Sequence, residues 1–250
     1  MNNIDIPPAV KNLLIINVLF FVATLVLQNV GIADLRSLLG VYYIDSELFR
    51  VWQLLTYMFM HADFFHLFSN MFALFMFGGM LEKRWGAKRF LNYYLITALG
   101  AVALQMGVQA YEVYHITGSA LNNPITDLVR SGNGISANVH IPNLTGSEGD
   151  TLLGIYGGSM VGASGAIFGI LVAFGMLYPN TELMMLFFPV PVKAKYFVIG
   201  YVILELTSGV AKVPGDSVAH FAHLGGALIG FILVKLWKDK DNNRFYKYYE

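Results

Sequence analysis

Apolar residues in this chain gather in long blocks rather than alternating in and out. Six blocks, at residues 13–29, 64–81, 90–111, 158–178, 196–211 and 218–237, approach the roughly 20 residues a helix needs to cross a hydrocarbon core of about 30 Å. Closed β-barrels are the other spanning structure, and no run of about ten alternating residues suggests one. The pattern predicts an all-α polytopic membrane protein with six transmembrane helices, forming one domain over residues 1–250, with 238–250 as a cytoplasmic tail.

Two connections are long. Residues 30–63 carry Leu38, Leu39, Val41, Tyr42, Tyr43, Leu48, Phe49, Val51 and Trp52, a composition suited to a loop lying partly in the membrane interface. Residues 112–156 are rich in Gly, Ser, Asn and Thr. They read as a flexible external insertion between the third and fourth spans, with little apolar surface to bury.

Composition agrees with a membrane protein: 56% of residues are hydrophobic and 13% charged, with mean hydropathy +0.57, against about 25% charged in soluble domains. Sixteen basic residues balance sixteen acidic ones, with no basic cluster, which excludes nucleic acid as a partner. The absence of cysteine excludes disulfides, a thiolate nucleophile and Cys-ligated zinc. Residues 1–11 lack the basic segment and cleavage site of a removable signal peptide, so the first apolar block is expected to stay as a helix.

Basic residues set the orientation. With the N-terminus inside, twelve of the sixteen fall on inner segments: Lys11, Lys83, Arg84, Lys88, Arg89, Lys193, Lys195, Lys235, Lys238, Lys240, Arg244 and Lys247. Arg36, Arg50, Arg130 and Lys212 fall outside. Both termini are expected to be cytoplasmic, with Glu82 and Arg84 pairing at an inner turn.

Spans two, four and six run from outside to inside and carry polar groups at similar depth. At 1.5 Å per residue, Ser164 and Asn70 come out roughly 9 Å below the starts of their spans and His223 roughly 8 Å, with His66 nearer the surface. Such groups usually face a wet interior. A serine becomes nucleophilic when a neighbouring base takes its proton, and His223 is the candidate base. His66 and Asn70, four apart on one helix face, are candidate oxyanion donors. Gly165 and Gly169, like Gly226 and Gly230, have the spacing that lets membrane helices approach closely. Phe168 lies one turn beyond Ser164, on the face expected to meet the imidazole.

Other readings of these residues remain open. Ser164 could be a small packing residue. His220 competes with His223 as base and otherwise belongs to its surroundings, as does His61, expected at the cavity mouth. His61, His66, His220 and His223 could bind a metal, but there is no H-E-x-x-H, so the expectation is no metal and no cofactor. Glu205 is an acid inside the fifth span, where acids are generally functional, but its place towards the outer half equally suits a hydrogen bond at the cavity mouth or near the loop to the sixth span.

His61, His66-Leu67-Phe68-Ser69-Asn70, Gly78-Gly79-Met80-Leu81-Glu82-Lys83-Arg84-Trp85-Gly86, Gly162-Ala163-Ser164-Gly165 and Ala222-His223 with Gly226 and Gly230 resemble, in order, the motifs of the rhomboid family of intramembrane serine proteases. The resemblance covers about residues 52–230. It implies a bacterial-type six-helix fold, Ser164 as nucleophile, His223 as base, an oxyanion hole involving His66 and Asn70, and residues 30–63 as the family's interfacial L1 loop. Implied partners are transmembrane protein substrates and the lipid bilayer, in a bacterial inner membrane. The implied activity is cleavage of membrane-anchored proteins near the outer end of a transmembrane segment; the alternative is a non-proteolytic member that binds membrane proteins for quality control. Two departures stand out: Gln53 follows Trp52 where many bacterial members have Arg, putting the L1 anchor in doubt, and Phe168 stands where a tyrosine is frequent.

Overall fold

The computed structural model describes residues 5–121, 123–131, 134–139, 144–185, 188–211 and 219–237. The expected tail, with Lys238, Lys240, Arg244 and Lys247, lies outside the described residues, as does Lys212.

Proline opens the first helix, α1 (Pro8–Asn29), where its missing amide hydrogen is no loss. The N-cap residue Pro7 supplies no side-chain cap. Glu82 does so from 72 and 73 residues away, accepting from Ala9 N at 2.9 Å and Val10 N at 2.8 Å. A carboxylate at a helix N-terminus is well placed against the helix dipole. The expected Glu82–Arg84 pair is thereby corrected: Glu82 is buried against α1, while the Arg84 guanidinium lies 5.8 Å from the ring centre of Tyr178.

The connection after α1 contains short helices α2 (Leu35–Leu39) and α3 (Gln53–Thr56), then a 3-10 turn at Tyr57–Phe59. Gln53, 1% exposed, holds this loop together. Its amide nitrogen donates to the carbonyls of Leu38 (3.3 Å) and Leu48 (3.2 Å), and its oxygen accepts from Arg50 N (2.9 Å). A neutral amide thus ties the loop from within, at the position where the resemblance leads one to expect arginine.

Asp63 caps α4 (Phe64–Ala73) by accepting from His66 N at 2.8 Å. The helix runs on through a π turn, Leu74–Gly78, into α5 (Gly79–Trp85). Gly86, at φ +80°, turns the chain into α6 (Ala87–Thr117), the longest helix at 31 residues. Next come β1 (Ile125–Ser131), β2 (Gly134–Val139), α7 (Gly146–Gly157) and α8 (Ser164–Leu177). The chain then forms β3 (Glu182–Met185), β4 (Phe188–Lys193), α9 (Ala194–Ala211) and α10 (His220–Leu236).

Among the described residues, four helical stretches are long and apolar enough to cross a membrane: Pro8–Asn29, Phe64–Trp85, Ala87–Thr117 and Ala194–Ala211. Ser164–Leu177 and His220–Leu236 are shorter apolar helices. The all-α expectation needs correcting for two antiparallel hairpins, β1–β2 and β3–β4. Both lie in connections, and in β4 alternating Val190 and Val192 favour extended backbone while Pro189 and Pro191 forbid helix.

The insertion also departs from expectation. It packs rather than staying loose: Ile125, Leu152, Ile155 and Tyr156 form a buried cluster with Val113 of α6 and Tyr43 of the long loop. The Tyr43 and Tyr156 rings meet edge-on at 5.4 Å. Thr145 and Glu148 make a reciprocal capping box at the start of α7. Apolar residues at 152, 155 and 156 share one helix face, a pattern too short to stand out in a polar stretch.

Candidate active site

α6, α8 and α10 meet where glycines remove the side chains between them. A Cβ on Gly226 would collide with the carbonyl of Gly165, and one on Gly165 with the Ala101 side chain of α6. A Cβ on Gly230 would come within 2.8 Å of Gly169 Cα, and one on Gly169 within 2.7 Å of Thr97. The two expected glycine pairs thus face each other, with α6 completing a three-helix junction. Tyr93 closes it, its hydroxyl donating to Gly169 O at 2.7 Å.

Ser164 enters this junction differently from the sequence reading. It is the first residue of α8, not a residue some 9 Å down a span beginning near 158. The preceding stretch is extended: Met160 and Val41 exchange backbone hydrogen bonds of 2.8 and 2.9 Å, and Gly162 N donates to Tyr57 O at 3.0 Å. Gly162 takes φ +129°, and a Cβ there would meet His66 Nε2 at 2.7 Å. An apolar run therefore looked like helix in sequence, whereas pairing with the long loop holds it straight. The result puts Ser164 where the first helix amides lack intrahelical acceptors and the dipole is positive.

His223, on the first turn of α10, points Nε2 at Ser164 Oγ, 2.8 Å away. Phe168 lies flat on the imidazole, with ring centres 4.4 Å apart and planes 10° apart. Phenylalanine makes this contact through its ring alone.

His66 Nε2 lies beside Gly162 and Ser164. Its Nδ1 accepts a long bond, 3.5 Å, from Ala62 N, which leaves the ring proton on Nε2. Asn70 is 5% exposed, and its amide Nδ2 is buried with no hydrogen-bond partner. Such unsatisfied buried donors call for explanation, and an incoming oxyanion would supply one. His61 is buried edge-on to His66, with ring centres 5.0 Å apart. Burial, with His66 beside it, pushes the His61 pKa down to about 3, so the ring is neutral near pH 7.

The four histidines form no common ligand group. The donor set with metal-binding spacing among the described residues is Glu205, His220 and His223, whose ligand atoms lie within 4.8 Å of one another. Hydrogen bonds within that set account for its compactness: Glu205 Oε2 is 2.7 Å from His220 Nδ1 and 2.9 Å from His223 Nδ1. His220 thus stands one carboxylate away from His223, and Glu205 is drawn into the site. The sequence named no partner for Glu205; the one-turn spacing to Gly209, which lets α9 approach α10, was its missed signal.

A family model described as the rhomboid domain matches residues 48–238. RHOMBOID-like protein 12, mitochondrial, of Arabidopsis thaliana is 32% identical over 186 residues, 73% of this chain and 45% of that protein. Rhomboid protein 1, mitochondrial, of Saccharomyces cerevisiae is 30% identical over 174 residues, 70% of this chain and 38% of that protein. Rhomboid-like protein 11, chloroplastic, of Arabidopsis thaliana is 25% identical over 231 residues, 85% and 63% respectively. The chain therefore spans less than half the length of the first two. With the family match running from the loop around Gln53 through both Ser164 and His223, this chain belongs to the rhomboid family of membrane proteins.

Proposed function

We propose that the protein is a serine endopeptidase that cleaves membrane-anchored proteins near the outer end of a transmembrane segment. The observation that carries this is the 2.8 Å contact between His223 Nε2 and Ser164 Oγ, with Ser164 the first residue of its helix. His223 takes the Ser164 proton as Oγ bonds to the scissile carbonyl carbon. The carbonyl oxygen becomes an oxyanion, held by His66 Nε2–H, Asn70 Nδ2–H and the Ser164 amide. Collapse of the intermediate breaks the C–N bond, and His223 returns the proton to the leaving amine. Water, deprotonated by the same imidazole, then hydrolyses the acyl-enzyme.

In this reading all six apolar helices cross the bilayer within one domain, and residues 30–63 lie in the interface. Exposed Leu38, Ile44, Val51, Trp52 and Leu55 support that placement. The distribution of basic residues supports both termini on the cytoplasmic side, and the bacterial-type resemblance supports a plasma membrane; the organelle names of the relatives belong to those proteins. Substrate enters laterally and unwinds at the cut, because a helical carbonyl is occupied by its own hydrogen bond. No metal or cofactor takes part.

The test is labelling of the protein in bilayers by a fluorophosphonate, beside cleavage of a transmembrane substrate. Labelling and cleavage that vanish in Ser164→Ala and His223→Ala, and persist in EDTA, are the expected result. A wild-type protein that neither labels nor cleaves would instead be a membrane-protein binding factor.

A further inference from the structure

Of the four long apolar helices, α9 is the least buried. Ile199, Ile203, Leu204, Leu206 and Val210 are exposed along it, in a position to face lipid. Yet Glu205, in its second half, is 3% exposed. A buried carboxylate in a membrane helix is expensive unless it is paired, and this one is paired twice, through one oxygen, to Nδ1 of His220 and Nδ1 of His223. An ionised carboxylate only accepts hydrogen bonds, so both imidazoles present Nδ1–H to it. Gly209, one turn further on, makes the approach possible: a Cβ there would come within 3.1 Å of His220 Cβ and 3.3 Å of the Phe221 ring.

We propose that Glu205 is a positioning residue that extends the Ser164–His223 pair into a Ser–His–Glu relay, with His220 holding the carboxylate in place. This rests on the protease reading above. By accepting from Nδ1–H, Glu205 fixes His223 in the tautomer whose Nε2 lone pair faces Ser164, the form a general base needs. When His223 takes the serine proton, the carboxylate stabilises the imidazolium. Phe168 holds the plane of the ring and Glu205 its rotation within that plane. The other titratable groups facing this pair are His66 from α4, Tyr201 from α9 and His220 from α10.

The experiment compares wild type, Ser164→Ala, Glu205→Gln and Glu205→Asp in bilayers, measuring kcat and KM for a transmembrane substrate across pH. Glutamine keeps the shape but can donate to Nδ1, stabilising the wrong tautomer. A fall in kcat on the order of 10²–10⁴ with KM within about twofold is expected. The acid limb of the pH profile should move to lower pH, since imidazolium loses its anionic partner. Aspartate should restore part of the rate. The wild-type protein gives a second measurement, independent of whether the variants fold: selective ¹⁵N-histidine NMR near neutral pH should show His223 protonated at Nδ1. Glu205→Gln with wild-type kcat and acid limb, or His223 carrying its proton on Nε2, overturns the relay while Ser164→Ala remains dead. If wild type itself does not cleave, it is the protease reading that fails.

Discussion

The seam between α8 and α10 and the layer that α7 forms over Tyr43 both bury surface, by opposite means. In the seam, backbone meets backbone: Gly226 lies against the Gly165 carbonyl and Gly230 against Gly169, leaving no room for one methyl group. In the α7 layer large side chains fill the space, with Tyr43, Leu152, Ile155 and Tyr156 in one cluster. A buried polar tie accompanies them, Ser46 Oγ donating to Tyr156 O at 2.6 Å. The seam fixes the distance between Ser164 and His223 directly, so it tolerates no change of volume. The layer bears on the site through the loop carrying Val41, whose backbone pairs with Met160 just ahead of Ser164.

The hardest blow to this contrast is Gly226→Leu. A branched side chain would have to displace the α8 backbone, and overpacking typically costs about 1–3 kcal/mol, more where backbone must move. Loss of cleavage with a lowered Tm is expected; a fully active variant would show that the seam does not set the Ser164–His223 distance.

Asn70→Ala probes the buried, unpartnered donor on α4. Removing one oxyanion donor lowers kcat by on the order of 10²–10³, with KM little changed because the contact forms in the transition state. Unchanged turnover would remove Asn70 from the site.

The layer should respond more mildly. Replacing residues 118–149 with a Gly/Ser linker removes Ile125 from the cluster and the cap from α7. Burying an aliphatic side chain is worth about 1.5–3 kcal/mol, so a lower Tm is expected, with fluorophosphonate labelling of Ser164 retained. A variant that folds but no longer labels would make the insertion part of the catalytic scaffold.

The smallest effect is Thr145→Ala. Losing an N-cap typically costs about 1 kcal/mol, felt as faster amide exchange in α7 with cleavage unchanged. Acid should mimic it. Hydrogen bonds from Thr145 hold the Glu148 carboxyl below its ordinary range, so its contribution is present above that range and is lost as pH falls through the lowered value. Exchange in α7 that ignores both changes would mean the capping box contributes nothing.

Much of this was legible in the sequence. Apolar blocks revealed the membrane helices because in lipid every backbone polar group must be satisfied internally, which demands long uninterrupted runs. Ser164, His223, His66 and Asn70 stood out for a related reason: polar side chains are costly in such runs, so those present carry information. The glycine spacings revealed which helices touch. Tertiary structure decided what depends on pairing between distant segments. Residues 159–163 are as apolar as a helix, and only the strand-like pairing of Met160 with Val41 keeps them extended and makes Ser164 a helix N-terminus. Glu82 reads as a surface charge until α1 arrives with unpaired amides. Glu205 reads as one acid on a lipid-facing helix, and its role rests on two histidines converging on one of its oxygens across 15 and 18 residues. Periodicity reports what a segment does with its own backbone. Which acceptor a buried donor finds is settled only when the helices are packed.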